Sequence, residues 1–188
     1  MRLLLLSLLI IFPFSVFAQT TRTTSGQIRF ITPGAPWNVL FDAKNFTLAE
    51  QKIKSDGRSG YFLMNNDVEH CTVSLWIEPV DKYSDSKACR DHVLSLGNPR
   101  WGKFEKLFKS EIGEISYFEF FRPVVDNQPV KMLDMYAEFV KEGFWIDLHI
   151  SKVLYTEKDH PLFENFVESA KFEFKNRQLI AQAKKWLE

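Results

Sequence analysis

The chain has 188 residues, of which 24 are Lys or Arg and 24 are Asp or Glu, so its formal net charge is zero. Hydrophobic residues make up 45% and charged residues 26%, which excludes the disordered, collagen-like and low-complexity classes. Nucleic-acid-binding proteins are usually basic, so the neutral charge argues against a nucleic-acid partner. The aromatic fraction of 15% is high and favours β structure.

Residues 1–18 have the pattern of a secretory signal peptide. Arg2 supplies a positive charge, the apolar run 3–12 follows, and Val16 and Ala18 occupy the −3 and −1 positions of a cleavage site. The apolar run is shorter than the ~20 residues that a membrane-spanning helix needs. We therefore expect cleavage after Ala18 and a secreted or periplasmic protein without stable membrane insertion.

The remaining chain is predicted to contain several strands, a helix, four more strands, and then a helix and a last strand. Residues 19–26 are small and polar, which predicts a flexible leader. Apolar segments separated by turn residues then predict five strands, at 27–31, 37–41, 46–53, 61–64 and 71–80. A helix is expected from Ser84 or Ser86 to Leu96, because Gly97 and Pro99 supply stop signals.

Two hairpins and a helical end are predicted for the second half. Residues 104–121 form a hairpin that turns at Gly113, and residues 132–150 form another. A helix opens at His160, a last strand covers 171–174, and 176–188 is an amphipathic C-terminal helix. Short turns make consecutive strands antiparallel. The prediction is a single α+β domain over 27–175, an antiparallel sheet of about six to eight strands with two or three helices packed on it.

This order of elements over residues 27–175 resembles PsbP-like domains, the family of the extrinsic photosystem II subunit and its bacterial relatives. The segment Trp37-Asn38-Val39-Leu40-Phe41 resembles the opening strand of that family, and the runs 71–96 and 160–174 fit its strand–helix and closing segments. The resemblance lies in element order and assigns no functional residue. It implies a non-catalytic binding or accessory domain.

No motif for nucleophilic catalysis, phosphate binding, dinucleotide binding or zinc binding is present, so no cofactor is implied. We therefore expect a non-catalytic binding or accessory module whose partner is a protein or small ligand of the cell envelope. One alternative is a metal-dependent or hydrolytic enzyme. Another is a structural envelope protein that docks through its C-terminal helix.

One hairpin carries the candidate site. Its apolar residues share a face only if the loop has an even number of residues, 142–143 or 140–143. The opposite face then carries polar and aromatic residues beside Asp134, and the candidate ligand-binding residues are Tyr136, Glu138, Trp145, Asp147 and His149.

The loop length decides which of these residues face each other. A two-residue loop places Glu138 opposite Asp147 and Tyr136 opposite His149, whereas a four-residue loop places Asp134 opposite His149. Either pairing allows His149 to act as a ligand or general base, and carboxylates with one histidine could hold a divalent cation. The alternative is a solvated outer face with ordinary cross-strand pairs.

Further expectations concern the cysteines, the core and the other histidines. Cys71 and Cys89 are the two cysteines of an expected exported chain, which favours a disulfide, but their predicted places on a strand and the following helix keep them apart. Phe118 and Phe120 are expected in the same core as the apolar hairpin face. His70, His92 and His160 are isolated and are predicted to have no function.

Overall fold

The computed structural model describes residues 19–23, 26–31, 34–55, 58–80, 82–83, 85–97 and 105–175. The predicted signal peptide and the predicted C-terminal helix lie outside these residues. The described part contains two helices, α1 (Ser86–Leu96) and α2 (His160–Glu168). Its strands are β1 (Gln19–Arg22), β2 (Gln27–Ile31), β3 (Trp37–Asp42), β4 (Thr47–Ile53), β5 (Gly60–Asn66), β6 (Cys71–Pro79), β7 (Glu105–Ile112), β8 (Ile115–Val125), β9 (Gln128–Lys141), β10 (Phe144–Lys152) and β11 (Lys171–Phe174).

The strands form two antiparallel sheets. The larger has seven strands in the order β4-β5-β6-β10-β9-β8-β7, and the smaller has four in the order β1-β2-β3-β11. The α+β class and the size of the larger sheet are confirmed. The smaller sheet was not predicted, because nothing in the local pattern of β1, β2 and β3 separates them from the strands of the larger sheet.

The main core lies between the two sheets. Alternate residues of β6, such as Val73 and Leu75, are fully buried on the inner face of the larger sheet. Aromatic rings join the layers: the centroid of Phe30 on β2 lies 4.9 Å from that of Phe62 on β5, in an edge-to-face arrangement. Such aromatic pairs add stability beyond the area they bury.

The outer face of the larger sheet is covered by α1. Asp85 caps this helix, because its carboxylate accepts a hydrogen bond from the Ala88 amide at 2.8 Å. Phe118 and Phe120 lie on this outer face, where they pack with Val93 and Leu94 of α1. The prediction that both phenylalanines belong to the main core was wrong. Phe118 is paired with Tyr136 in the β8–β9 register, so its side chain lies on the same face of the sheet as Tyr136.

One further expectation changes. Gln19–Arg22 pairs with β2 as strand β1, so this part of the expected flexible leader has regular structure.

Cys71 and Cys89 are free and buried. Cys71 belongs to the core between the sheets, whereas Cys89 is on α1, which covers the opposite face of the larger sheet. No helix within the described residues is long and apolar enough to cross a membrane.

Candidate functional site

The β9–β10 hairpin has the two-residue loop. Glu142 and Gly143 form it, with φ values of 49° and 75°, as a two-residue hairpin turn requires. Glu138 is therefore opposite Asp147, and Tyr136 is opposite His149. The four-residue alternative does not occur.

This polar face is covered rather than solvated. Asp134 and Glu138 have no exposed surface, and Tyr136, Trp145 and His149 are half-buried. Part of this cover comes from α1, which packs against β8 and β9. The expectation of a solvated outer face is therefore corrected for β9, where Asp134 and Glu138 are buried, whereas the β10 residues of this face remain partly exposed.

Asp134 contacts two basic side chains, Arg122 and His149. Its Oδ2 atom accepts a hydrogen bond from Nε of Arg122 at 2.6 Å, and its Oδ1 atom lies 2.9 Å from Nε2 of His149. Burial raises the pKa of Asp134, but the hydrogen bonds with His149 and Arg122 outweigh it, so the pKa lies below its ordinary value. The His149 ring also stacks on Tyr136, with centroids 4.2 Å apart. His149 is therefore held in place by a buried carboxylate and an aromatic ring.

Glu138 and Asp147 form a second, separate group. The indole N–H of Trp145 donates a hydrogen bond to Oε2 of Glu138 at 2.5 Å. Oε1 of Glu138 and Oδ1 of Asp147 are buried and have no hydrogen-bond partner. Burial and the charge of Asp147 raise the pKa of Glu138 well above its usual range, and burial raises the pKa of Asp147 to about 6. Burial therefore favours the protonated form of both carboxyl groups.

The five predicted residues therefore divide into two groups. His149 and Tyr136 belong with Asp134, whereas Glu138, Trp145 and Asp147 form the carboxylate pair and its donor. Within the described residues, no group of three or more His, Cys, Asp or Glu side chains is arranged to hold a metal ion. Arg122 was missed by the sequence analysis, because it lies at the far end of β8 and meets Asp134 only through the β8–β9 pairing.

A cleft on the inner side of the larger sheet is a second candidate. It has a volume of about 860 Å³ and lies between β7, β8 and the beginning of α2. Its aromatic wall consists of Phe108, Tyr117, Phe121 and Tyr155. A cavity of this size, with apolar walls and a few polar groups, is typical of small-molecule sites.

A histidine–carboxylate pair lies in the wall of this cleft. Nε2 of His160 is 3.0 Å from Oε2 of Glu119, and Nδ1 of His160 is 3.7 Å from Oε1 of Glu164. Only 13% of the Glu119 side chain is exposed, so it is the deeper of the two carboxylates. His160 thus has two carboxylate neighbours, and its isolation in the sequence was misleading.

The sequence held one signal for this cleft. Tyr117, Glu119 and Phe121 alternate with Phe118 and Phe120 along the strand. The one charged residue of this aromatic run, Glu119, therefore shares the inner face with Tyr117 and Phe121. A carboxylate at an inward position between two aromatic residues needs a partner. That partner is His160, 41 residues later in the chain.

Comparison with known proteins gives a structural relative and no sequence relative. No protein-family model matches the chain, and no curated protein matches it. The solution structure of cyanobacterial PsbP (CyanoP) from Synechocystis sp. PCC 6803 matches with a TM-score of 0.51. The match covers 85% of this chain and 99% of that chain, at 11% sequence identity. The fold of this chain is therefore PsbP-like.

Proposed function

We propose that the protein is an exported, non-catalytic binding module that holds a small ligand in the cleft between β8 and α2. The observation that carries this proposal is the cleft itself, with its volume of about 860 Å³, its aromatic wall and its half-buried Glu119–His160 pair. Small-molecule sites combine these features: apolar surface supplies affinity, and a few fixed polar groups set orientation.

The cleft is built on rigid elements. Tyr117, Glu119 and Phe121 are consecutive inward residues of β8, and His160 is the first residue of α2. The helix is anchored to the core through Phe163 and Val167, which are fully buried. A site whose two walls are fixed in this way loses little conformational entropy on binding.

Ligand screening with two matched variants tests this function. Ser110 lines the cleft on β7, so Ser110→Trp should obstruct it, whereas Lys109→Trp places the same bulk on the neighbouring residue, which does not line the cleft. We expect compounds that raise the melting temperature of the parent and of Lys109→Trp to lose this effect on Ser110→Trp. Equal responses of both variants would place binding elsewhere.

Export belongs to the same proposal and rests on residues 1–18. The positive residue, the apolar run and the Val16–Ala18 cleavage pattern support secretion or release into a periplasm. Expression in a bacterial host followed by intact-mass measurement of the exported protein tests it. A chain beginning at Gln19 is expected, and a mass that includes Met1 to Ala18 would contradict it.

The carboxylate pair supports hydrolysis as a second candidate function. Two opposed carboxyl groups with raised pKa values, Glu138 and Asp147, can supply a general acid and a general base. Because Glu138 lies on β9, against which α1 packs, and has no exposed surface, substrate would require a rearrangement on this side of the sheet. Glu138→Gln with Asp147→Asn should abolish any hydrolytic or metal response of the parent, measured by turnover assays and by calorimetry with Zn²⁺, Ca²⁺ and Mg²⁺. If the parent shows neither turnover nor a metal response, hydrolysis is excluded and ligand binding remains the proposed function.

The structural alternative depends on the C-terminal segment. Residues 176–188 alternate apolar and polar positions with helical spacing, which supports docking to another envelope component. Removal of residues 176–188 would test it: retention of the shortened chain by envelope fractions at the parent's level would contradict a docking role.

A further inference from the structure

The charges that line the cleft are predominantly negative. Three carboxylates contribute, Glu119, Glu157 and Glu164, against one lysine, Lys106, and the imidazole of His160. The chain as a whole has no net charge, so this local excess is not a consequence of an acidic protein. Anionic ligands would meet repulsion here, and neutral ligands could gain hydrogen bonds from the carboxylates but no charge attraction.

The carboxylates of the cleft also act on two tyrosines of its aromatic wall, Tyr155 and Tyr117. Burial and, after it, the nearby charges of Glu157 and Glu119 together raise the pKa of Tyr155 to about 12. Burial also raises the pKa of Tyr117, to which Glu119 and Glu164 contribute in the same direction. The carboxylates therefore act on the inside of the cleft, where the dielectric is lower than in water.

The aromatic wall selects among cations. Phe108, Tyr117, Phe121 and Tyr155 present rings whose faces attract cationic groups, and such surfaces suit alkylammonium ions better than strongly hydrated metal ions. The described residues also lack a group of three or more His, Cys, Asp or Glu side chains arranged for a metal ion. An organic cation gains from both the rings and the carboxylates.

We propose that the cleft binds a small organic cation that carries more than one protonated amine. This inference rests on the proposed binding function of the same cleft. One amine is held at the deeper carboxylate, Glu119, whose orientation is fixed by His160. A second amine meets Glu157 or Glu164 near the rim, and the carbon chain between the amines lies against the rings.

Titration of the purified protein with spermidine and putrescine tests the ligand class. Aromatic resonances of Tyr117 and Tyr155, followed by NMR, report occupancy of the cleft itself. The uncharged diol 1,4-butanediol, succinate and Mg²⁺ serve as ligands of other classes. We expect saturable shifts with both amines, tighter binding of spermidine than of putrescine, and no saturable shift with the other three.

Matched charge variants identify the anchoring carboxylate. Glu119→Gln should weaken spermidine binding about tenfold or more, because it removes a charge-assisted hydrogen bond. Glu168→Gln makes the same charge change on α2 outside the cleft and should leave the affinity within about twofold. Equal losses in both variants would mean non-specific attraction and would overturn the proposal.

The outcomes separate the ligand class from the binding function. If the diol, succinate or Mg²⁺ saturates the tyrosine shifts and the amines do not, the organic-cation proposal fails while the cleft remains a binding site. If the amines fail and no compound from a general screen distinguishes the Ser110→Trp variant, the binding function fails together with the organic cation.

Discussion

Glu138 and Asp147 lie directly opposite each other on β9 and β10, and each has a buried carboxylate oxygen without a hydrogen-bond partner. Like charges in directly opposed positions destabilise a sheet, and burial increases the penalty. The raised pKa values of both groups reduce this cost, because the pair retains a proton that isolated carboxylates would lose. The stability of the protein is thereby coupled to pH through this face of the larger sheet.

The first prediction concerns the pH dependence of folding. A carboxyl group whose pKa is raised by folding stabilises the protein below its unfolded-state pKa, and this contribution is lost as pH rises through the folded-state pKa. For Asp147 the window runs from the ordinary value of 3.8 to about 6. We expect this group to lower the free energy of unfolding by about 3 kcal/mol across that window, measured by urea unfolding at a series of pH values.

Asp147→Asn is the control for that prediction. The amide cannot ionise, and its N–H groups can donate a hydrogen bond to Oε1 of Glu138. The variant should be more stable than the parent above neutral pH and should lose less stability than the parent between pH 4 and 7, because the contribution of Asp147 is removed while that of Glu138 remains. Parallel stability curves for parent and variant would show that Asp147 ionises in the folded protein at its ordinary pKa.

The second prediction concerns His149, which bonds the fully buried Asp134. His149→Ala leaves this buried carboxylate with one hydrogen-bond partner fewer, so a loss of about 1–3 kcal/mol is expected, compared with about 0.5 kcal/mol or less for an ordinary surface change. Because folding lowers the pKa of Asp134, the stability it contributes is present above the ordinary Asp pKa and is lost as pH falls.

A double-mutant cycle measures the pairing directly. The cycle combines His149→Ala with Asp134→Asn, and residues in one hydrogen-bond network usually show coupling energies of about 0.5–3 kcal/mol. Additive effects of the two substitutions at neutral pH would mean that His149 contributes nothing through Asp134.

The element order was predictable because its signals are local. The predicted bounds of β2 and of the hairpin turn at Gly113 agree with the structure, since alternating apolar residues and turn glycines act over a few positions. The assignment of strands to two sheets was not predictable in this way. It depends on β11 returning to pair with β3, a contact between residues more than 130 positions apart.

The faces of the hairpin were predictable, but their surroundings were not. An even loop was sufficient to place Glu138, Trp145, Asp147 and His149 on one side of the sheet. Whether that side is wet depends on where α1 packs, which the periodicity of α1 does not specify. The Glu119–His160 pair was missed for the same reason, because a strand and a distant helix meet only after the sheet has formed.

The third prediction concerns the cysteines. Burial raises the pKa of both Cys71 and Cys89 to about 12, so neither thiol forms the reactive thiolate near neutral pH. A thiol reagent such as Ellman's reagent should react slowly with the native protein and should titrate two thiols per chain after unfolding without a reductant. The absence of titratable thiols in the unfolded exported protein would instead show a disulfide.

The last prediction separates the two cores of the molecule. Phe120 is fully buried beneath α1, so Phe120→Ala should cost about 3–5 kcal/mol in urea unfolding. Phe174 on β11 is 57% exposed, and Phe174→Ala, the same substitution at the surface, should cost much less. Hydrogen exchange then locates the damage, because loss of a contact under α1 should speed exchange of the α1 amides while the β2 and β3 amides remain protected. Faster exchange in β2 and β3 with unchanged α1 would place Phe120 in the core between the sheets after all.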